Sequence, residues 1–139
     1  MDDRQGAQSA NDSFYRALEA LDLEAMSRIW LHSEWVRCTH PGWEVVVGWD
    51  AVRESWESIF ANTRWIRVTP TALGLQVLGD VAIVGCSENI TATQGDQIGV
   101  AVAQATNLFL NTPEGWRLVH HHASPAPVEV TQPFSGRVQ

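Results

Sequence analysis

Gly115-Trp116-Arg117-Leu118-Val119-His120-His121-His122-Ala123-Ser124-Pro125 decides the fold. Its aromatic and β-branched content predicts a strand, in which side chains alternate between two faces. Regular alternation puts Trp116, Leu118, His120 and His122 on one face, and Arg117, Val119 and His121 on the other. Asn111-Thr112-Pro113-Glu114-Gly115 is a turn signal, so the strand before it, Ile98 to Leu110, forms a hairpin with this one. The same signals recur upstream. Gln94-Gly95-Asp96 separates Val81–Thr93 from Ile98, and Leu78-Gly79-Asp80 separates it from Trp65–Leu78. Four long strands joined by short turns predict an antiparallel meander.

The N-terminal half has a different period. Ala10, Phe14, Ala17, Leu18 and Leu21 recur at helical spacing, with Ser9 and Asp12 placed as a capping box. Asp22 can cap a second short helix whose apolar side is Leu23, Met26, Ile29 and Trp30. Trp35–His40 and Trp43–Val47 read as short strands around a Pro41-Gly42 turn. A third helix is expected from about Asp50 to Ala61, with Val52, Trp56, Ile59 and Phe60 as its stripe. Helices first and strands later predict an α+β domain, a curved antiparallel sheet wrapped as a cone around three helices. The expected domain runs from residue 9 to 125, with a disordered start at 1–8 and an arm or disordered tail at 126–139.

Composition narrows the function. The chain has 139 residues and a net charge of −7, which argues against nucleic acid as a partner. The sequence offers no run of the roughly 18 apolar residues that a membrane span needs. The polar, acidic start, Met1-Asp2-Asp3-Arg4, does not read as a signal peptide, so a cytoplasmic location is expected. All nine basic residues are Arg, and with no Lys there is no Schiff-base or P-loop chemistry. Cys38 and Cys86 read as buried free thiols, and no CxxC pair offers a thiolate metal site. Seven tryptophans suit a core or an aromatic-walled pocket.

The element order and three strings resemble the nuclear transport factor 2-like superfamily, in its SnoaL-like branch. The strings are Asp22-Leu23-Glu24-Ala25-Met26, then Thr39-His40-Pro41-Gly42 with Gly48, and finally Asn107–Leu110 with Gly115–Pro125. The last of these is also similar to the association domain of calcium/calmodulin-dependent kinase. The resemblance covers about residues 9 to 125 and implies a homodimer formed through the outer sheet face. It implies a pocket for a small hydrophobic molecule and no cofactor.

His40 is the first candidate for chemistry. In ketosteroid isomerases of this superfamily a carboxylate directly before a proline is the general base, and His40-Pro41 stands in the comparable place. Histidine titrates near neutral pH and can move a proton. The phenol of those enzymes falls at Phe14 here, with Tyr15 beside it and off the centre of the stripe. The second oxyanion donor falls near Thr106 and Asn107, neither of them an aspartate. Steroid isomerisation itself is therefore not expected. Glu88 and Asn89 sit mid-strand, and alternation alone does not say which faces inward. The expected catalytic set is His40, His122 and Glu88. Trp43, Trp56, Trp35, Asn107 and His120 are the expected ligand contacts. A His-x-His pair is too weak a signal to assign a metal. Two functions follow: an acid/base isomerase, cyclase or dehydratase acting on a hydrophobic carbonyl compound, or a non-catalytic ligand-binding or dimeric association module.

Overall fold

The computed structural model describes residues 2–128. Helices α1 (Asp3–Ala20) and α2 (Leu23–Ile29) come first, then strands β1 (Arg37–Thr39) and β2 (Val46–Val47), then helix α3 (Trp49–Ala61). Strands β3 (Ile66–Leu78), β4 (Val81–Gln94), β5 (Gln97–Thr112) and β6 (Gly115–Ala126) complete the chain. They form one six-stranded sheet in the order β2-β1-β6-β5-β4-β3. Every pairing is antiparallel except β1 with β6, which run parallel. The sheet is curved and unclosed, an α+β cone. Helix α1 packs across β3, β4 and β6.

Helix α1 starts earlier than its sequence suggested. Asp2 accepts from the Gln5 backbone N–H at 2.8 Å, and Gln5 Oε1 accepts from the Asp2 backbone N–H at 3.0 Å. This capping box displaces the one expected at Ser9 and Asp12, so residues 3–8 are helical rather than loose. The buried stripe accordingly begins at Ala7 and continues through Asn11, Phe14, Tyr15 and Leu18. Gly6 lets the helix close on the sheet: a Cβ there would stand 2.9 Å from Trp116 Cδ1. A Gly6→Val substitution is expected to cost about 1–3 kcal/mol through overpacking, read as a lower urea midpoint. An unchanged midpoint would mean that Trp116 swings aside freely.

The strand that opened the argument is not regular. Leu108 pairs with His120 and Phe109 with Leu118, so Val119 is an extra residue in β6. Such a β-bulge shifts the alternation by one. Trp116 and Leu118 are buried as expected, but beyond the bulge it is His121 and Ala123 that are buried. His120 and His122, expected inside, lie on the outer face, in register with Arg37 and Thr39 of β1. Ala126 closes β6, and the part of the expected tail from residue 129 onward lies outside the described residues. No helix among the described residues is long and apolar enough to cross a membrane.

Candidate functional site

Two groups of buried polar side chains face each other inside the cone. The first is built at the end of β1. Trp43 N–H donates to the His40 carbonyl at 2.9 Å across the Pro41-Gly42 turn, with Gly42 at φ 86°. That φ suits glycine and reverses the chain tightly. The turn brings the half-exposed Trp43 ring back against His40, 4.8 Å between centroids, while Trp56 of α3 stands edge-on from within at 4.5 Å. His40 Nε2 lies 2.9 Å from Ser55 Oγ, and Ser55 Oγ donates to the Val52 carbonyl at 2.7 Å. A hydroxyl has one proton to give, so Ser55 accepts from His40 Nε2–H. The neutral ring then carries its lone pair on Nδ1, which is 3.9 Å from Cys38 Sγ. Burial lowers the His40 pKa to about 4, so the ring is neutral at pH 7. Cys38 and Cys86 are free and buried, and burial raises both thiols, which keeps them protonated and inert.

The second group spans α1, β4, β5 and β6. His121 Nδ1 lies 2.6 Å from Asn107 Oδ1. Asn107 Nδ2 donates to Asn11 Oδ1 at 2.9 Å and to the Tyr15 hydroxyl at 3.2 Å. Tyr15 donates to Glu88 Oε2 at 2.7 Å and lies 3.3 Å from Cys86 Sγ. Glu88 is therefore the inward member of the Glu88-Asn89 pair, at 3 % exposure. Asn89 is exposed and bonds the Thr69 carbonyl and Thr71 hydroxyl of the neighbouring strand. Burial raises the Glu88 pKa, against the opposing effect of the Tyr15 hydrogen bond. Burial, then the Glu88 charge, pushes the Tyr15 phenol up as well. Burial, then the proximity of His40, lowers His121 to about 3. Phe14 and Trp56 lie between the two groups, with ring centroids 4.9 and 6.1 Å from His121.

The fold thus places His40, Trp43 and Trp56 in one group and Glu88 and Asn107 in the other, with Trp56 reaching toward His121 at 6.1 Å. It leaves Trp35 aside, 56 % exposed. His120 and His122 stack on each other outside the sheet, 6.3 Å apart, and are not part of this interior. No cluster of three or more His, Cys, Asp or Glu with metal-binding spacing occurs among the described residues. Surface clefts of about 500 Å³, lined by Ser9, Arg28, Asn111 and Trp116, and about 520 Å³, lined by His32, Val47 and Trp49, do not reach the buried histidines.

Four interior residues escaped the sequence reading: Asn11, Tyr15, Ser55 and His121. Helical spacing held a signal for three of them. Asn11 and Tyr15 stand four and eight residues after Ala7, on the face that meets the sheet. Ser55 sits between Val52 and Trp56 on the buried side of α3. Only the bulge at Val119 reveals His121.

Comparison with known proteins agrees with this architecture. The profile described as "SnoaL-like domain" matches residues 7–129. A solved NTF2-like family protein from Streptomyces avermitilis, provisionally assigned as a dehydratase, is 38 % identical; the match covers 91 % of this chain and 97 % of that one, with a TM-score of 0.85. A protein from Thiobacillus denitrificans, provisionally assigned as a calcium/calmodulin-dependent protein kinase type II association domain, is 32 % identical over 86 % of this chain and 94 % of its own, with a TM-score of 0.74. F-box protein SKIP8 of Arabidopsis thaliana is 28 % identical over 84 % of this chain, which spans about half (48 %) of that curated relative's length. With the family model matched over residues 7–129, the chain belongs to the SnoaL-like domain family of the NTF2-like superfamily.

Proposed function

We propose that the cone interior is an acid/base site for a small hydrophobic carbonyl compound, and that the reaction is a dehydration. The observation that carries this reading is that His40 and Glu88 are both buried on the inward side of the sheet, His40 against Trp56 and Glu88 at the end of the Tyr15–Asn107–His121 network. Burial keeps the first a neutral base at pH 7 and favours the protonated acid form of the second. In a β-hydroxy ketone, His40 takes the proton beside the carbonyl and the carbon–carbon double bond forms. The β-hydroxyl leaves as water with a proton from Glu88. Exchange with solvent releases the proton from His40 and reprotonates Glu88, which closes the cycle with no co-reactant. Trp43 and Trp56 are the flat walls that hold an apolar substrate, and Asn107 orients polar groups within. The similarity to a protein provisionally assigned as a dehydratase supports this choice over isomerisation or cyclisation.

Dehydration of an aryl β-hydroxy ketone yields a conjugated enone with a strong ultraviolet band, which gives a direct assay. His40→Gln is expected to lower kcat/KM by about 10²–10⁴. Wild-type turnover in that variant would overturn the assignment of the base. The second reading, a binding or association module, draws on the surface clefts that stop short of His40. It gains if aryl ketones bind and no substrate turns over. In either reading the outer sheet face, with exposed Ile83 and Val100, is proposed as a homodimer contact that sedimentation would test.

A further inference from the structure

We propose that Glu88, Tyr15 and Asn107 form a one-way hydrogen-bond relay that fixes His121 as the Nδ1–H tautomer and presents its Nε2 lone pair to the hydroxyl of a neutral, carbonyl-bearing ligand. This deepens the acid/base reading and rests on it for the location of the ligand. It adds a positioning role for Asn107 and Tyr15 and a contact for His121.

The direction of the relay follows from its carboxyl end. Tyr15 donates to Glu88 Oε2, at 2.7 Å the shortest contact of the phenol, and the acid proton of Glu88 sits on its other oxygen. The Tyr15 oxygen must then accept from Asn107, 3.2 Å away, which turns the Asn107 amide nitrogen toward it. The same nitrogen donates to Asn11 Oδ1 at 2.9 Å. Asn107 Oδ1 is left facing His121 Nδ1 at 2.6 Å, so Nδ1 carries the proton. Nε2 is the bare atom and has no hydrogen-bond partner among the described residues. Hydrogen bonds aligned in series polarise one another, so the Tyr15–Glu88 bond at the far end makes Nε2 a better acceptor.

The ligand class follows from what surrounds that lone pair. Among the described residues the buried polar side chains are Asn11, Thr39, His40, Ser55, Glu88, Asn107 and His121, with no Arg among them, and the chain has no Lys. An anionic ligand would find no cation among these side chains, which is costly in an apolar interior. Among the described residues three buried donors, Trp30 Nε1, Trp56 Nε1 and Asn11 Nδ2, have no acceptor, and the last two stand beside this site. Trp56 touches His40 and neighbours His121, and Asn11 is bonded to Asn107. Unmatched donors beside an unmatched acceptor call for an occupant with both oxygen acceptors and a hydroxyl donor.

Imidazole nitrogen NMR of the full chain, labelled at histidine, tests the relay without an activity assay. At pH 7, His121 is expected to show a protonated Nδ1 and a bare Nε2. Glu88→Gln should move the His121 Nε2 resonance while leaving exposed His32 in place. A merely structural Glu88 would leave His121 untouched, and that result overturns the relay. So does an Nε2–H tautomer, which would mean that the Asn107 amide is turned the other way. For the ligand, the acetone–benzaldehyde aldol adduct at millimolar concentration is compared with β-hydroxy-β-phenylpropionate, its carboxylate counterpart. The neutral adduct is expected to shift Nε2 and to bind at least about tenfold tighter, a difference of about 1.4 kcal/mol. No shift with the adduct, or equal binding of the carboxylate, overturns the ligand class. A fixed tautomer and a bound adduct with no enone formed would refute the dehydration and leave the relay standing.

Discussion

Acidification from about pH 6.5 to about pH 4.5 is expected to remove roughly 5 kcal/mol of stability through two histidines alone. His40 and His121 are held neutral inside the cone, with pKa values lowered from 6.5 to about 4 and about 3. In the unfolded chain both protonate as the pH falls below 6.5, while the folded state refuses the protons. The unfolded state is therefore favoured by about 1.4 kcal/mol per pH unit for each ring. The loss from His40 stops near pH 4, and that from His121 near pH 3. Glu88 acts in the opposite sense. Its raised pKa means that the folded state takes up a proton first, which returns part of the loss as the pH drops toward 4.5. Domains of this kind are stable by about 5–15 kcal/mol, so acid unfolding should set in well above the pH that ordinary carboxylates require. Urea midpoints across pH 4–7 measure this. The double variant His40→Gln/His121→Gln should flatten the slope. A wild-type midpoint that hardly moves between pH 7 and pH 4.5 would show that the two rings are not buried as neutral bases.

Replacing Trp56 by Ala is expected to destabilise the fold by about 3–5 kcal/mol. Its ring is 2 % exposed and meets Phe14, Phe60 and His40 at centroid distances of 5.7, 5.7 and 4.5 Å. Removing it takes away the centre of an aromatic cluster and leaves a cavity bounded by helix and sheet. Trp56→Phe should cost far less, because the buried Nε1–H has no acceptor and its loss leaves no partner unsatisfied. Chemical denaturation of the two variants side by side provides the contrast. A loss below about 1 kcal/mol in Trp56→Ala would mean that the interior around His40 collapses easily or was already open.

Much of the fold was legible because the two halves differ in period. The α3 stripe of Val52, Trp56, Ile59 and Phe60 and the three turn signals between long strands placed those elements within a residue or two. Asp22 began α2 as read, accepting from Ala25 N–H at 3.0 Å. The start of α1 was misplaced because two capping-box patterns occur within ten residues, and burial of Ala7 and Asn11 decides between them. The interior was read in part. His40 comes from the resemblance to the isomerases, through its place before Pro41, and Trp56 from its stripe. Glu88 required the strand register, which pairing with β5 sets and a single strand cannot. Tyr15 was discounted because the stripe was centred on Phe14. The sheet in fact covers a wider arc of the helix, and both rings are buried. His120 and His122 were assigned inward on uniform alternation, which one inserted residue breaks.

That inserted residue makes the run of three imidazoles a form of insurance. Two adjacent histidines on a strand guarantee one inward ring whichever way the register falls, and a third extends the guarantee to the neighbouring level. Gain or loss of a single residue near Val119 would change which ring is admitted without emptying the position. Relatives aligned column by column can then place different histidines at an equivalent point in space. Superposed coordinates, rather than matched letters, are the proper basis for tracing this position across the family.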